Sequence, residues 1–525
     1  MTQGPPSLDH RVSPWSNIVS ACVDRWVEDG HGDRTAIHFD GAQVTYRELQ
    51  AGVNRLGNAL RSLGLKAGDR YLIRLPARPE FYMSFLAGLK IGAVAVPTPA
   101  ILQTKELRQI VDAANIKLAI TDEDLADPIR ELGKEASGLE QIACLQTERR
   151  GEHELSALID GGDERLPTPE TDLNDPAYVL FSSGTTGVPK GIAHAHRANN
   201  ICAGNPGGRI GMDLGPDDVV FQPHDPAWSY SLSCGFLFTL GQGASLVAAT
   251  NRVAPEQALR WVEQYHVTVF ASVPTFYRAI LSRPNVEKGI DVSTLRHCLS
   301  AGEPLTTNTF REWERRIGVS ILDHMGQGEL SMFCANVPHE EIRPGSFGTP
   351  LPGYQVTVVD ESGREVIGEV GELVISEDNP GLFYDYLGMP EKWAETHRGG
   401  WYYTGDLARK DEAGFFWYIS RSDDLITSRG YLISPKEVED CLVDHPAVLE
   451  AGVVGRRDEV MGQLVTAYVV LHEGNDATDE LAADLIAHTR EQIAPFKAPK
   501  EIIFLDQLPK TRTGKILRRQ LRESG

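Results

Sequence analysis

The chain has 525 residues, 41% hydrophobic and 24% charged, which makes it too long for a single core and too apolar for disorder. A formal net charge of −22 argues against nucleic acid or an anionic membrane surface as the main partner, so anionic ligands must be met by local basic groups. The seven cysteines are odd in number and lack C-x-x-C spacing, which predicts neither a disulfide framework nor a zinc site and fits a reducing cytoplasm.

No basic segment leads into an apolar run at the start of the chain, so no secretory signal is expected. Helical spacing over 46–63, a β run at 71–75, a helical run at 79–91 and a β run at 93–96 alternate as βαβ units do around a parallel sheet. The apolar stretch 81–96 contains Lys90 and is closed by Pro97, too short and too charged to span a bilayer. Alternation continues through β runs at 118–121, 219–221, 245–249 and 267–271, with a helical pattern at 255–265. The predicted fold class is α/β: a large N-terminal domain, 1–422, of layered, mostly parallel sheets with helices. Short β runs at 354–360 and 371–376 predict a small β subdomain within it, about 345–422. Helical patterns at 436–444 and 481–493 and β runs at 448–455 and 464–471 predict a small α+β C-terminal domain, 423–525.

Between two apolar runs, residues 178–191 gather hydroxyls, glycines and one lysine. Ser182, Ser183, Thr185 and Thr186 can each donate a hydrogen bond, Gly184 and Gly187 let backbone N–H groups approach an anion, and Lys190 adds positive charge. Such a loop suits a polyphosphate. It is not the P-loop of ATPases, in which Ser or Thr and a helix follow the lysine, because Gly191 and a β-like run at 192–196 follow here. His194 and His196 alternate along that run with no carboxylate or cysteine nearby, a pattern of structural rather than metal-binding histidines.

This string, followed in order by segments 300–305, 323–329, 401–406, 419–424 and 509–515, resembles the signature set of the adenylate-forming superfamily: acyl-CoA synthetases, adenylation domains and firefly-type luciferases. Segments 223–230 and 234–238 look most like the acid pocket of aryl- and benzoate-type CoA ligases. The resemblance implies that ATP and a bulky aryl, alicyclic or other apolar acid form an acyl-AMP, which coenzyme A then captures as a thioester. It also implies a mobile small domain that turns about Asp423 between the half-reactions.

Residue by residue, the resemblance places Lys190 and its loop on the β- and γ-phosphates, and makes Glu329 both catalytic and the Mg²⁺ ligand. Gly302, Glu303 and Pro304 would line the adenine, with Met325 and Tyr418 packed on the ring, and Asp323, His324, Gly326 and Gln327 complete that wall. Asp406 would accept from the ribose hydroxyls and Arg421 would touch the same sugar. Lys515 would act on the carboxylate and α-phosphate oxygens, and Gly430 would flank the pantetheine arm. His224, Trp228, Ser229, Tyr230, Gly326 and Gly328 would surround the acid. Arg429, Lys436, Arg456, Arg457, Lys497 and Lys500 are candidates for the CoA phosphates.

Two positions depart from the family pattern. Gly328 stands where Thr or Ser is usual, and Ser420 stands where glycine is expected before the arginine. A lost hydrogen bond to a charged group costs roughly 1.5–3 kcal/mol, about ten- to a hundredfold in rate. This keeps open a ligase that uses preformed acyl adenylate and only makes the thioester. A carrier protein in place of CoA is a further alternative. A luciferase-like oxidase would need a different acid pocket, and a non-catalytic binding module would be expected to lose Lys190, Glu329, Asp406 or Lys515, all of which are present.

Overall fold

The computed structural model describes residues 15, 17–135, 138–169, 171–183, 189–250, 253–379, 381–428, 431–458, 462–510 and 516–523. Among them the strands form four sheets. A nine-stranded sheet has Val219–Phe221, Val269–Ser272, His297–Ser300 and Ile321–Met325 side by side and parallel. An eight-stranded sheet has Arg70–Arg74, Val94–Pro97 and Ile116–Asp122 as parallel neighbours and ends in the antiparallel hairpin Pro176–Ser183 and Pro189–Ala195. The short strand Asp385–Tyr386 caps that hairpin edge.

The helices follow from local signals. Helix Tyr46–Ser62 opens on Thr45, whose side chain accepts from the Glu48 N–H while Glu48 reaches back, a reciprocal cap. It buries Leu49, Val53, Leu56 and Leu60 at helical spacing. Helix Pro79–Lys90 starts with proline at its first turn and is buried from Phe81 to Lys90, as a helix covered on all sides must be. Lys90 is tolerated there because its ammonium lies 2.7 Å from Asp24.

The antiparallel sheet of Val356–Val359, Val370–Ser376, Trp401–Lys410, His397–Arg398 and Phe416–Arg421 follows. The fourth sheet, from Ile426–Ser428 to Glu501–Phe504, packs with helices Pro435–Val443 and Asp479–Gln492 around its own core of Ile426, Val438, Leu442, Val453, Val469 and Leu485. The fold is thus a large α/β body plus a smaller α+β unit. No helix among the described residues is long and apolar enough to cross a membrane.

The apolar run 319–322 reads as a strand in the sequence; the strand is instead Ile321–Met325, since parallel pairing of Ser300 with Asp323 draws the polar residues Asp323 and His324 into the sheet. Residues 234–237 lie in a π-helical turn, Ser231–Leu237. Two hydroxyls bond carbonyls at this turn: Thr239 donates to Cys234 at 2.7 Å and Ser233 to Ser229 at 2.8 Å.

Candidate active site

The strand ending at Met325, the hairpin carrying Lys190 and the antiparallel sheet carrying Asp406 come together through Glu329 and Gln327, beyond the carboxyl end of the parallel strands, where α/β sheets take ligands. Lys190 was expected on a loop. It sits within strand Pro189–Ala195, directly across from Ser182, so the pleat fixes its direction. Its ammonium lies 4.5 Å from the centre of the Tyr386 ring and 2.6 Å from Glu329 Oε1. Gly184, Thr185, Thr186, Gly187, Gly430 and Lys515 lie outside the described residues, as does the Ser183 side chain.

Glu329 is 5% exposed. Burial alone would lift its carboxyl, but the Lys190 charge and the hydroxyl of Tyr386, which donates to Oε1 at 2.8 Å, outweigh it and hold the group below the usual carboxylate range. Oε1 thus carries both contacts, and Oε2 has no side-chain partner among the described residues. A single buried carboxylate with one uncommitted oxygen fits Mg²⁺, which is commonly held by one or two carboxylates and the substrate's own phosphates.

The residues expected at the sugar are brought together by strand pairing. Asp406 and Arg421 face each other across neighbouring antiparallel strands, and Arg421 donates to Asp406 Oδ1 at 3.0 Å. Gln327 Nε2 donates to Asp406 Oδ2 and, at 3.2 Å, to the Thr404 carbonyl. Asp423 is 3.7 Å from the other side of the same guanidinium. Lys190, Glu329, Gln327, Asp406, Arg421 and Asp423, drawn from distant segments, therefore converge. Tyr386 and Tyr402, which link them, were not singled out from the sequence; their phenols carry no spacing signal, although Tyr402 falls inside segment 401–406.

The predicted acid segment forms a row of rings. His224 meets Trp228 at 5.6 Å, Trp228 meets Tyr230 at 5.4 Å, and Tyr230 meets His324 at 5.2 Å, all edge-on. Ser229 contributes its carbonyl to the π-helical turn. Gly302 has φ +84°, and a Cβ there would come within 3.3 Å of the Trp228 indole, so the segments expected at the adenine and at the acid touch. Gly326 leaves no room for a side chain, because a Cβ would fall 1.5 Å from the Ser331 carbonyl oxygen. Pro304 follows in the same irregular stretch, and Tyr418, half buried, packs against the main core. Glu303 stands apart, held by the Thr275 hydroxyl at 2.5 Å and by Arg278 at 3.5 Å rather than by another predicted site residue.

Histidine chemistry here is structural. His194 stacks on Tyr178 at 4.6 Å, and its Nε2 lies 2.8 Å from the Gly328 carbonyl, which requires the proton on Nε2. Burial lowers its pKa to about 4, so it stays neutral and steadies the Gly328 backbone. A Cβ at Gly328 would approach Ile192 Cδ1 to 2.7 Å, so a buried methyl group stands beside the missing side chain.

Burial pushes the Asp323 carboxyl up from 3.8 to about 7, and its Oδ1 has no hydrogen-bond partner among the described residues. Between those two values the folded chain binds a proton that the unfolded chain has released. This contribution to stability is complete below the ordinary carboxylate pKa and is lost as pH rises through about 7. Asp323→Asn is therefore expected to gain in unfolding midpoint over the unsubstituted protein between pH 5 and pH 8; a difference that does not change with pH contradicts this.

Of the basic residues suggested for CoA, Arg456 is 2.8 Å from Glu501, Lys497 is 2.6 Å from Glu437, and Lys436 is paired with Asp440. Arg429 lies outside the described residues.

The sequence and fold match known proteins throughout. The family described as AMP-binding enzyme matches residues 23–387, and the AMP-binding enzyme C-terminal domain matches 437–515. The chain is 36% identical over 498 residues to the uncharacterized acyl-CoA ligase YtcI of Bacillus subtilis (strain 168), covering 94% of this chain and 93% of that protein. It is 34% identical over 523 residues to the benzoate-CoA ligase of Thauera aromatica, covering 99% and 98%. The crystal structure of the anthranilate CoA ligase AuaEII in complex with anthranoyl-AMP is similar with a TM-score of 0.91 at 29% identity, covering 98% of each chain. A benzoate CoA ligase from Burkholderia xenovorans LB400 gives 0.87 at 30% identity, covering 96% of this chain and 99% of that one. By these matches the chain belongs to the AMP-binding enzyme family and is an AMP-forming acyl-CoA ligase, an enzyme of ATP, Mg²⁺ and coenzyme A.

Proposed function

We propose that this ligase activates a bulky aryl, alicyclic or other apolar carboxylic acid and transfers it to CoA. The observation that carries the reading is the row of rings from His224 to His324, which touches the adenine-side Gly302 through Trp228. An acid seated among these rings would hold its carboxylate beside the nucleotide segment. The names of the benzoate and anthranilate ligases among its relatives point the same way.

In the first half-reaction a carboxylate oxygen attacks the α-phosphorus; the new O–P bond replaces the bond to the bridging oxygen, and pyrophosphate leaves. Lys190 would leave Glu329 for the phosphates, Asp406 and Arg421 would fix the sugar, and Mg²⁺ on Glu329 would supply charge neutralisation. In the second, the CoA sulfur attacks the acyl carbonyl, its proton passes to solvent, and AMP leaves. Lys515 would serve the first step and Gly430 the second, with residues 423–525 turning against 1–422 about Asp423. Support for the pivot is that Asp423 lies in the turn at 422–424, two residues after Arg421, and its side chain is 46% exposed. The small unit has its own core, and the Ser434 hydroxyl meets the Ile419 carbonyl across the junction at 2.6 Å.

The test supplies a panel of aryl, alicyclic and fatty acids, first as free acid with ATP and then as synthetic acyl-AMP with CoA. Aryl or alicyclic acids turning over in both formats support the reading, whereas exclusive use of short or charged acids rejects it. Repeating the second format with a phosphopantetheine-loaded carrier protein separates the two thiol acceptors. A thioester-only ligase is favoured by one feature, Ile192 beside Gly328. Gly328→Thr alone forces that methyl group to move, so the informative variant is Gly328→Thr with Ile192→Val. It should raise turnover from free acid about tenfold and leave turnover from acyl-AMP unchanged. Equal turnover from both formats in the unsubstituted enzyme rejects the thioester-only reading.

A further inference from the structure

Glu329 is gripped twice by one short segment. The Phe383 N–H donates to the Glu329 carbonyl at 3.0 Å, and three residues on the Tyr386 hydroxyl donates to its Oε1 at 2.8 Å. Tyr386 is itself fixed, by strand pairing with Ile192 and by ring contacts with Phe383 at 4.5 Å and Trp393 at 6.3 Å. Its oxygen is 3.3 Å from that of Tyr402, whose hydroxyl is also 3.2 Å from Gln327 Oε1. Gln327 then donates to Asp406. Counting protons, Tyr386 spends its hydrogen on Glu329 and Gln327 its amide hydrogens on Asp406 and Thr404, so the single hydrogen of Tyr402 has two acceptors, one on each side. Both rings are 2% exposed or less, so water cannot freely take over these bonds.

We propose that Tyr386, Tyr402 and Gln327 form a positioning strap, which holds Glu329 by Oε1 so that Oε2 is left for a cation, and ties that carboxylate to Asp406, the residue expected at the sugar. The strap rests on the reading of Glu329 as the magnesium carboxylate. Lys190 shares Oε1 with Tyr386, so when the lysine departs for the phosphates the phenol keeps the carboxylate from rotating. None of the three residues need touch the reacting atoms; they act through Glu329 and Asp406.

The experiment measures, by calorimetry on the full chain, the affinity for ATP with Mg²⁺ and with EDTA, and the affinity for AMP. Second-sphere partners of a metal ligand commonly change metal affinity ten- to a hundredfold. Tyr386→Phe is therefore expected to shrink the advantage of Mg·ATP over free ATP by about tenfold, with AMP affinity and the acyl-AMP plus CoA reaction unchanged within about twofold. Tyr402→Phe, which breaks the middle of the strap, should weaken both the magnesium advantage and AMP binding. An undiminished magnesium advantage in Tyr386→Phe overturns the strap while leaving the functional reading intact. An unsubstituted enzyme that shows no magnesium advantage overturns both. If Tyr386→Phe does not fold, Tyr402→Phe decides: loss of AMP affinity with the magnesium advantage intact overturns the coupling, and joint loss supports it.

Discussion

Replacing Asp406 with alanine is expected to lower kcat/KM for ATP by about two to three orders of magnitude. The carboxylate is 3% exposed and accepts from Arg421 and Gln327 on separate oxygens. Truncating one member of such a hydrogen-bonded charge pair typically costs about 2–5 kcal/mol, much of it from the partner left without its counter-charge. Here the abandoned partner is Arg421, whose remaining partners among the described residues are the Thr404 carbonyl and the more distant Asp423. If the side chain holds the ribose, AMP affinity measured directly must fall with kcat/KM. Asp406→Asn, which preserves shape and one acceptor, should lie between alanine and the unsubstituted protein. A kcat/KM within tenfold of normal for the alanine variant would remove Asp406 from the site.

Glu329→Gln should separate the half-reactions more sharply. Glutamine keeps an oxygen that can accept from Lys190 and Tyr386, so the local fold should survive, but the negative charge that would hold the cation is gone. Removal of one such electrostatic contribution commonly costs about 10²–10³ in kcat. That loss is expected for ATP with free acid, while acyl-AMP with CoA should proceed within a few-fold of normal. Lys190 holds the native carboxyl below the usual carboxylate range before ATP binds and the cation would do so afterwards, so the deficit should be as large at pH 5.5 as at pH 8. A deficit shared equally by both formats would make Glu329 a structural residue.

The helical and β runs of the first hundred residues were legible because periodicity and end signals agreed: helix Tyr46–Ser62 against an expected 46–63, and helix Pro79–Lys90 against 79–91. The strand at Ile321–Met325 was displaced because its tail, Asp323 and His324, is polar, and only pairing with His297–Ser300 makes it a strand. Among the site residues, those within contiguous motifs were recognisable. Tyr386 was not, for its role comes from a two-residue strand docked beside Lys190, a contact that spans 196 residues of chain. The π-helical turn at Ser231–Leu237 was equally hidden, since no hydrophobic period reports it or the hydroxyl-to-carbonyl bonds beside it.

The seven cysteines are all buried, and burial pushes every one of their thiols upward, Cys22 and Cys234 to about 12. An activated mixed anhydride is attacked by whatever sulfur nucleophile reaches it first, and the protein offers none of its own in anionic form. Buried neutral thiols of this kind should be poor competitors for the incoming pantetheine sulfur, so incubation with an acyl-AMP is expected to leave all seven cysteines unacylated.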